Sequence, residues 1–496
     1  MPLHPLGAPS AILPLSAYKK MSVMSFIRIR LIVVGLVVAL LAMGSWAQGQ
    51  PPQVIRVPED IFSIQKAIDM IAKGGTILLA PGIWEENLVI GKSLTLRGEG
   101  KEPKEVRIVG VKKGHPVIRI ESEGEIEVQL ENLTAAEAKG NDRAVRAPQR
   151  ICPAGLQALG KAKVLIKDVQ VSKNRYGLVV LGSAQVSLSN STVSNNGWHG
   201  LKVWGSAQVS LTNSQVSNNR LDGLAVWGSA TVSLSHSTVS DNGLSGLAVG
   251  DSAQVSLSNS QVSKNKGSGL WVKDSATVSL SNSQVSKNEG SGLQVKDSAT
   301  VSLSHSTVSN NRDDGLNVWD LAKVELEDNV IKDNKSCGIY VGSAEAQVRG
   351  GPQEMHGNGV DLCGYASAGL RKPRVSQTDR IQLSVPEDYS SLQEAIDAVA
   401  PGGKITVEAG SYAEGLTIWK PLKLVGAGRG QTILKVLPEC KVVISIIAEA
   451  QGVMLEGLTV TGSKKDGLLI YGRAELQDLQ VSNNGGCGLT VGARSK

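Results

Sequence analysis

Aromatic residues are scarce in this chain of 496 residues. They make up only 3% of it, and Phe occurs twice, as Phe26 and Phe62. Globular cores usually depend on aromatic bulk, so an ordinary thick core is excluded. Gly, by contrast, occurs 55 times, and hydrophobic residues reach 41%. The composition predicts a thin core filled by Val, Leu and Ala.

An excess of charge is also absent once the N-terminal segment is set aside. The formal net charge is +6, but the four basic residues Lys19, Lys20, Arg28 and Arg30 lie in residues 1–47, which contain no acidic residue. The remainder has 47 basic and 45 acidic residues. Nucleic-acid binding usually needs a dense basic surface, so we expect no nucleic-acid partner.

The N-terminus has the layout of a secretory signal peptide. Basic residues precede an apolar run over 31–43, and Ser45 and Ala47 then form a small-x-small cleavage site. We predict a signal peptide over 1–47 and a protein that is secreted, periplasmic or on the cell surface. An uncleaved anchor is the alternative, although 13 apolar residues are short for a membrane span. No later apolar stretch is long enough to span a bilayer, and the five Cys would meet an oxidising compartment.

Gly recurs every 23 residues through the middle of the chain. The positions are Gly177, Gly200, Gly223, Gly246, Gly269, Gly292, Gly315 and Gly338. With this Gly as offset 0, apolar residues occupy offsets 1, 3, 7, 9, 11 and 16 of almost every unit. They alternate at period two in three short runs, which predicts three short strands, each with one buried face. Without a crossover helix, such strands bury their faces by coiling, so we predict an all-β parallel β-helix whose coils lie about 4.8 Å apart.

Two further columns of the repeat predict turns. Offset 13 holds only Asn, His or Asp: Asn190, Asn213, His236, Asn259, Asn282, His305 and Asp328. These residue types are enriched at left-handed backbone geometry, so His236 and His305 are predicted to be turn residues rather than catalytic ones. Offset 19 is Asn in seven units, from Asn196 to Asn334, which predicts a second ladder.

The sequence contains two copies of a module that begins a β-helix. The sequence of 57–60 recurs at 385–388, and each copy precedes an amphipathic segment, predicted as capping helices over Ile61–Ala72 and Ser391–Ala400. A helix at this place covers the open end of a coil stack. We therefore predict the following domains: a β-helix domain over 48–365 with 23-residue repeats over 177–337, a linker over 366–380, and a second, truncated β-helix domain over 381–496.

A family resemblance rests on the first of these modules. Residues 64–100, IQKAIDMIAKGGTILLAPGIWEENLVIGKSLTLRGEG, resemble the start of pectin-lyase-like right-handed β-helix proteins. That superfamily includes pectin esterases, polysaccharide lyases, polygalacturonases and NosD-like periplasmic repeat proteins. The resemblance implies a right-handed parallel β-helix in which each repeat unit makes one coil. The sequence lacks the Gly-His-Gly motif of the polygalacturonases and the Gly-Arg-Pro-Trp motif of the pectin esterases. We therefore assign no catalytic residue.

The candidate ligand-binding residues lie on the outward surface of the strand after the repeat Gly or in the turn that precedes this strand. They are His199, Lys202, Trp204, Arg220, Asp222, Trp227, Trp271 and Trp319. Sugar rings stack their C–H faces on aromatic rings while their hydroxyls need polar partners, so this set predicts a saccharide groove. The alternatives are that the Trp side chains only shield neighbouring coils and that His199 and Asp222 form a surface pair of little value.

Two weaker predictions concern a metal and a disulfide. Four carboxylates share offset 5, at Asp251, Asp274, Asp297 and Asp320; they could bind Ca²⁺, although Asp also replaces Gly there as a turn residue. Cys337 and Cys363 each precede a Gly, Gly338 and Gly364. If these Gly open successive coils, the two Cα atoms lie about 4.8 Å apart, which a disulfide accepts.

Three functions are compatible with these features. The first is a non-catalytic exported protein that binds polysaccharide or another cell-envelope component. The second is a polysaccharide lyase or hydrolase, and the third is a structural or adhesive protein whose Ser/Thr lattice is the working surface. The clustered Trp residues favour the first, and the missing acid–base constellation counts against the second.

Overall fold

The structure is a computed structural model that describes residues 50–140, 152–436 and 440–492. The predicted signal peptide over 1–47 lies outside these residues. Within them, no helix has both the length and the apolar character needed to cross a bilayer.

Each repeat unit forms one coil with three parallel strands, which confirms the predicted β-helix. In the coil that starts at Gly200 the strands are Leu201–Gly205, Gln208–Thr212 and Gln215–Ser217. Each strand pairs in register with its copy in the next coil. We call the three stacked surfaces face 1, face 2 and face 3, in that order.

The strands of each face follow one another along the axis. Face 1 contains Leu88–Ile90, Ile118–Glu131, Ala154–Lys167, Tyr176–Gly182, Leu201–Gly205, Leu224–Val226, Leu247–Val249, Leu270–Val272, Leu293–Val295, Leu316–Val318, Cys337–Val341 and Val360–Gly364. Face 2 contains Val54–Val57, Thr76–Leu79, Leu94–Gly98, the second halves of Ile118–Glu131 and Ala154–Lys167, Gln185–Ser189, Gln208–Thr212, Thr231–Ser235, Gln254–Ser258, Thr277–Ser281, Thr300–Ser304, Lys323–Glu327 and Gln347–Gly350. Face 3 contains Gly82–Glu85, Val106–Val109, Thr134–Ala136, Gln170–Ser172, Thr192–Ser194, Gln215–Ser217, Thr238–Ser240, Gln261–Ser263, Gln284–Ser286, Thr307–Ser309, Val330–Lys332 and Glu354–His356.

The core is the thin aliphatic filling that the composition predicts. In the coil of Gly223 the inward residues are all at most 1% exposed: Leu224, Val226, Ala230, Val232, Leu234 and Val239. They occupy the predicted inward offsets. Stacking identical side chains on successive coils therefore replaces the aromatic bulk of a globular core.

A buried Asn ladder explains why Gly recurs at offset 0. The Nδ2 of Asn219 donates to Oδ1 of Asn242 at 3.0 Å, and Asn242 donates in turn to Asn265 at 2.9 Å. A Cβ added to Gly223 would lie 2.9 Å from Nδ2 of Asn242 and 2.5 Å from a methyl carbon of Val239. Only Gly leaves room for both. The predicted turn at offset 13 is also confirmed, since all seven residues there have φ between 48° and 51°.

The two predicted helices are present but shorter than predicted. They are α1 over Ile64–Met70 and α2 over Leu392–Ala398. Each is preceded by a Ser N-cap, and a Glu from the same module accepts hydrogen bonds from the first backbone N–H groups, as Glu86 does for Ile64 at 2.8 Å. Short 3₁₀ turns occur at Pro103–Glu105 and Ala368–Leu370.

The second module repeats the three-strand coil. One sheet has Gln382–Val385, Lys404–Val407, Lys423–Gly426, Gln451–Glu456 and Arg473–Gln477; the second has Gly410–Ala413, Thr432–Lys435, Thr459–Thr461 and Gln480–Ser482; the third has Leu416–Ile418, Val442–Ile446, Asp466–Ile470 and Leu489–Val491.

The second module packs against the last coils of the first. Arg371, from the segment predicted as a linker, is 3% exposed. Its guanidinium donates to Asp361 of the first module at 2.7 Å and to Asp397 of α2 at 2.7 and 2.9 Å. The hydroxyls of Tyr340 and Tyr471 add a hydrogen bond of 2.8 Å. Where one domain ends and the next begins stays a prediction, but part of the segment 366–380 is built into the contact.

Candidate functional site

The repeat register brings His199 and Asp222 together at the edge of face 1. Both stand one residue before a repeat Gly, on successive coils, and Nδ1 of His199 lies 3.2 Å from Oδ2 of Asp222. Their side chains are 19% and 11% exposed. The other carboxylate oxygen of Asp222 accepts the backbone N–H of Ser245 at 2.9 Å, which fixes the carboxylate beside the imidazole.

Aromatic and basic side chains surround this pair. The ring of Tyr176 stacks on His199 with 6.2 Å between centroids, and Trp198 meets Tyr176 edge-on at 5.3 Å. Lys202 places its ammonium 5.7 Å from the Tyr176 ring, and Arg175 its guanidinium 4.2 Å from the Trp198 ring. Cationic groups over aromatic faces are attracted by the ring quadrupole. The site therefore combines aromatic surface with positive charge.

Two ionisable groups of this cluster, the Cys152 thiol and the Tyr176 hydroxyl, stay protonated at neutral pH. Burial raises the pKa of Cys152 to about 11, against a weaker opposing effect of Lys202. Burial, and then the nearby Cys152, raises the pKa of Tyr176 to about 12. A thiol nucleophile must be ionised, so Cys152 behaves as a packed side chain.

Trp227 and Trp271 form a second group farther along face 1. Their rings meet edge-on at 6.5 Å, and the ammonium of Lys273 lies 5.1 Å from Trp227 and 5.7 Å from Trp271. Trp227 also lies across Gly250 of the next coil, where an added Cβ would be 2.0 Å from its ring. Trp227 thus covers a coil with one side of its ring, which is the shielding role weighed from the sequence, and it remains half-buried.

The remaining predicted residues do not all join these groups. Trp204 is 45% exposed and Arg220 is exposed. Trp319 lies four coils beyond Trp227, about 19 Å at ordinary strand spacing. Its ring contacts Tyr340 at 5.5 Å, next to the second module. Trp319 is thus remote from the saccharide groove predicted around His199.

The Asp column at offset 5 has turn geometry. Asp251, Asp274, Asp297 and Asp320 have φ between 53° and 60°. The carboxylate of each of the last three accepts the backbone N–H of the Asp one coil earlier, at 3.0 to 3.2 Å. These contacts explain the column by turn chemistry, and the calcium site stays a prediction.

Cys337 and Cys363 are joined in the structure, with S–S at 1.97 Å and Cα–Cα at 6.1 Å. The alignment predicted for them was wrong. Gly364 pairs with Val341 rather than with Gly338, and Cys363 pairs with Tyr340. The reason is that the intervening coil is longer than the repeat unit and shifts the register. The pair lies in a buried cluster with Val442 and Leu469 of the second module.

Sequence reasoning missed Tyr176 and Lys273 as members of these groups. Tyr176 stands in the same column as His199 and Asp222, one coil earlier, so extending that column would have found it. Lys273 stands in the same column as Trp204 and Trp227, so extending that column would have found it as well. Nothing in the sequence indicated that Trp198 and Arg175 belong to the site, because aromatic and basic residues do not recur at their offset.

Comparisons with known proteins agree with this architecture. The family described as "right handed beta helix region" matches residues 154–300 and, in an overlapping match, 199–351. None of the curated proteins matches the chain in sequence. Similar solved structures include the mannuronan C-5 epimerase AlgE4 A-module of Azotobacter vinelandii, with 15% identity over 89% of this chain and 98% of that chain and a TM-score of 0.43.

Two others are a periplasmic alginate epimerase, AlgG, and the pectate lyase Pel9A. The first has 11% identity over 86% of this chain and 83% of its own, with a TM-score of 0.43. The second has 16% identity over 64% and 80%, with a TM-score of 0.36. With TM-scores below 0.5, these likenesses carry no argument about activity. The repeat, the three-faced coil and the family match together show that the chain carries a right-handed parallel β-helix.

Proposed function

We propose that the chain is an exported, non-catalytic β-helix protein that binds a polysaccharide or another cell-envelope component through face 1 between Tyr176 and Trp271. The observation that carries this proposal is the exposed ring of Trp204 on the strand Leu201–Gly205, which also carries Lys202 and directly follows His199 and the repeat Gly. Two outward positions within this stretch, Ala225 and Ala248, carry small side chains, which leave space along the face between Lys202 and Trp271.

The chemistry of this stretch suits a sugar chain. An exposed indole offers a flat apolar surface for the C–H face of a sugar ring. The carboxylate of Asp222, the imidazole of His199 and the ammonium of Lys202 supply acceptors and donors for hydroxyl groups. A signal peptide over 1–47 would deliver the protein to the compartments where cell-envelope glycans occur.

Replacing Trp204 and Trp227 together by Ala is expected to weaken glycan binding by about tenfold to a hundredfold. Each lost stacking face is worth about 0.5–1.5 kcal/mol, and tenfold corresponds to about 1.4 kcal/mol. The measurement is retention on a glycan array, followed by titration of the glycans that bind. Phe62→Ala is the matched control, since Phe62 is 65% exposed and lies in the opening module. Equal retention in the double variant would refute the proposal and favour the adhesive Ser/Thr lattice.

A polysaccharide lyase or hydrolase is the second candidate function. It is favoured by the 3.2 Å between Nδ1 of His199 and Oδ2 of Asp222 and by the nearness of Tyr176, since an imidazole beside a carboxylate can act as a general base. Asp222→Asn tests it, because the Asn side-chain oxygen can still accept from Ser245 while the charge beside His199 is removed. We expect glycan binding to persist and, if the protein is an enzyme, depolymerising activity to fall by at least a hundredfold. No activity in either protein leaves the binding function.

A further inference from the structure

A groove with a cavity volume of about 420 Å³ lies on the turn between face 2 and face 3, away from the Trp residues of face 1. Its ends are His236 and His305, and its floor contains Asn259 and Asn282. All four occupy offset 13, one on each of four successive coils. We call it the histidine-walled groove.

The groove exists because two residue types alternate in one turn column. The four side chains stand on backbone of nearly identical geometry, with φ between 48° and 51°. The longer imidazoles stand on the outer coils and the shorter amides on the inner two. Three coil spacings separate the walls by about 14 Å.

The lining is polar. Nδ1 of His236 lies 2.9 Å from Oγ of Ser235, and Nε2 of His305 lies 3.8 Å from a carboxylate oxygen of Asp328. The side-chain amides of Asn259 and Asn282 are exposed and make no hydrogen bond with any residue that the structure describes. Gln261 and Gln284 line one side, where Nε2 of Gln261 donates to Oε1 of Gln284 at 3.2 Å. Since each amide has two donors and one acceptor oxygen, both Gln side chains keep further donors and acceptors. No carboxylate, ammonium or guanidinium group lies in the lining.

These properties define the class of ligand. Two pairs of neighbouring amides, about 4.8 Å apart along the axis, present donors and acceptors to a chain that repeats hydroxyl groups. The absence of carboxylate, ammonium and guanidinium groups from the lining disfavours a charged ligand, whose desolvation would need a partner. We propose that the histidine-walled groove binds a short stretch of neutral polysaccharide lying along the β-helix axis, separately from the ligand of face 1.

The column itself supplies the test variants. Asn282→His should fill the floor of the groove while keeping a residue type that this turn accepts at two other coils. Asn213→His makes the same change in the same column outside the groove, and is the matched control. The probes are four neutral hexasaccharides, namely cellohexaose, chitohexaose, mannohexaose and maltohexaose, titrated by calorimetry, with hexagalacturonate as the charged comparison.

We expect at least one neutral hexasaccharide to bind, with at least tenfold loss in Asn282→His and no change in Asn213→His. The double variant His236→Asn with His305→Asn should also weaken binding, because it removes both walls. The proposal is overturned if no neutral hexasaccharide binds, or if Asn282→His binds as tightly as the natural protein. It is also overturned if the Trp204→Ala, Trp227→Ala variant abolishes the same binding, since the site would then be on face 1.

Discussion

Replacing Arg371 by Met is expected to lower the free energy of unfolding by about 3–5 kcal/mol. The guanidinium is buried between the carboxylates of Asp361 and Asp397, which are themselves 3% and 0% exposed. Removing it leaves two buried negative charges without their main partner. The loss is measured by denaturant unfolding, with hydrogen exchange to show that protection falls first where the two modules meet.

Arg374→Met is the control for this prediction. Its side chain is 29% exposed and approaches Asp361 only to 3.8 Å, so its loss is expected to cost less than about 1 kcal/mol. Equal losses of unfolding free energy in the two variants would mean that any positive charge near Asp361, rather than the buried contact of Arg371, holds the modules together.

Replacing Asn242 by Ala is expected to cost about 2–4 kcal/mol, since each buried group left without a partner costs about 1–3 kcal/mol. The Asn242 side chain is fully buried. It donates to Val216 and Asn265 while accepting from both the backbone and the side chain of Asn219. Because a coil contacts only its neighbours, hydrogen exchange should show the loss in the coils on either side of position 242.

Asn218→Lys provides the matched control. Asn218 is exposed and has φ of 55°, and its column accepts Lys at 264 and 287 with φ of 57° and 58°. This change is expected to leave stability within about 0.5 kcal/mol of the natural protein. If Asn242→Ala were equally neutral, the Asn ladder would contribute nothing to the stacking of coils.

The coil was predictable because the sequence repeats the same alternation of apolar residues in every unit. One unit's alternation at Leu224, Val226, Val232 and Leu234 could equally describe a hairpin, but eight copies at a fixed period leave stacking as the simplest way to bury them all. The pairing of His199 with Asp222 was predictable for the same reason, since both occupy one column.

The contacts outside the period were not predictable. Asp361, Arg371 and Asp397 come from three different segments. Asp397 has a copy at Asp69 of the first module, but nothing in the sequence indicates that the three residues meet. The alignment of Cys363 failed where the coil length changes, because counting offsets assumes equal coils. The distance of Trp319 from Trp227 could be counted from the four units between them, but the contact of its ring with Tyr340 recurs nowhere else in the column.

The regular stacking of the coils also fixes distances along the β-helix axis. The distance from α1 to the docked second module is a whole number of coils, each adding about 4.8 Å for one further repeat unit of sequence. Gaining or losing one unit after Thr307, the last residue that lines the histidine-walled groove, and before Arg371 would move the groove along the axis relative to the second module by one such step, without changing any side chain that lines it. The spacing between surfaces on this molecule is therefore set by repeat number, and their chemistry by which residue each copy carries.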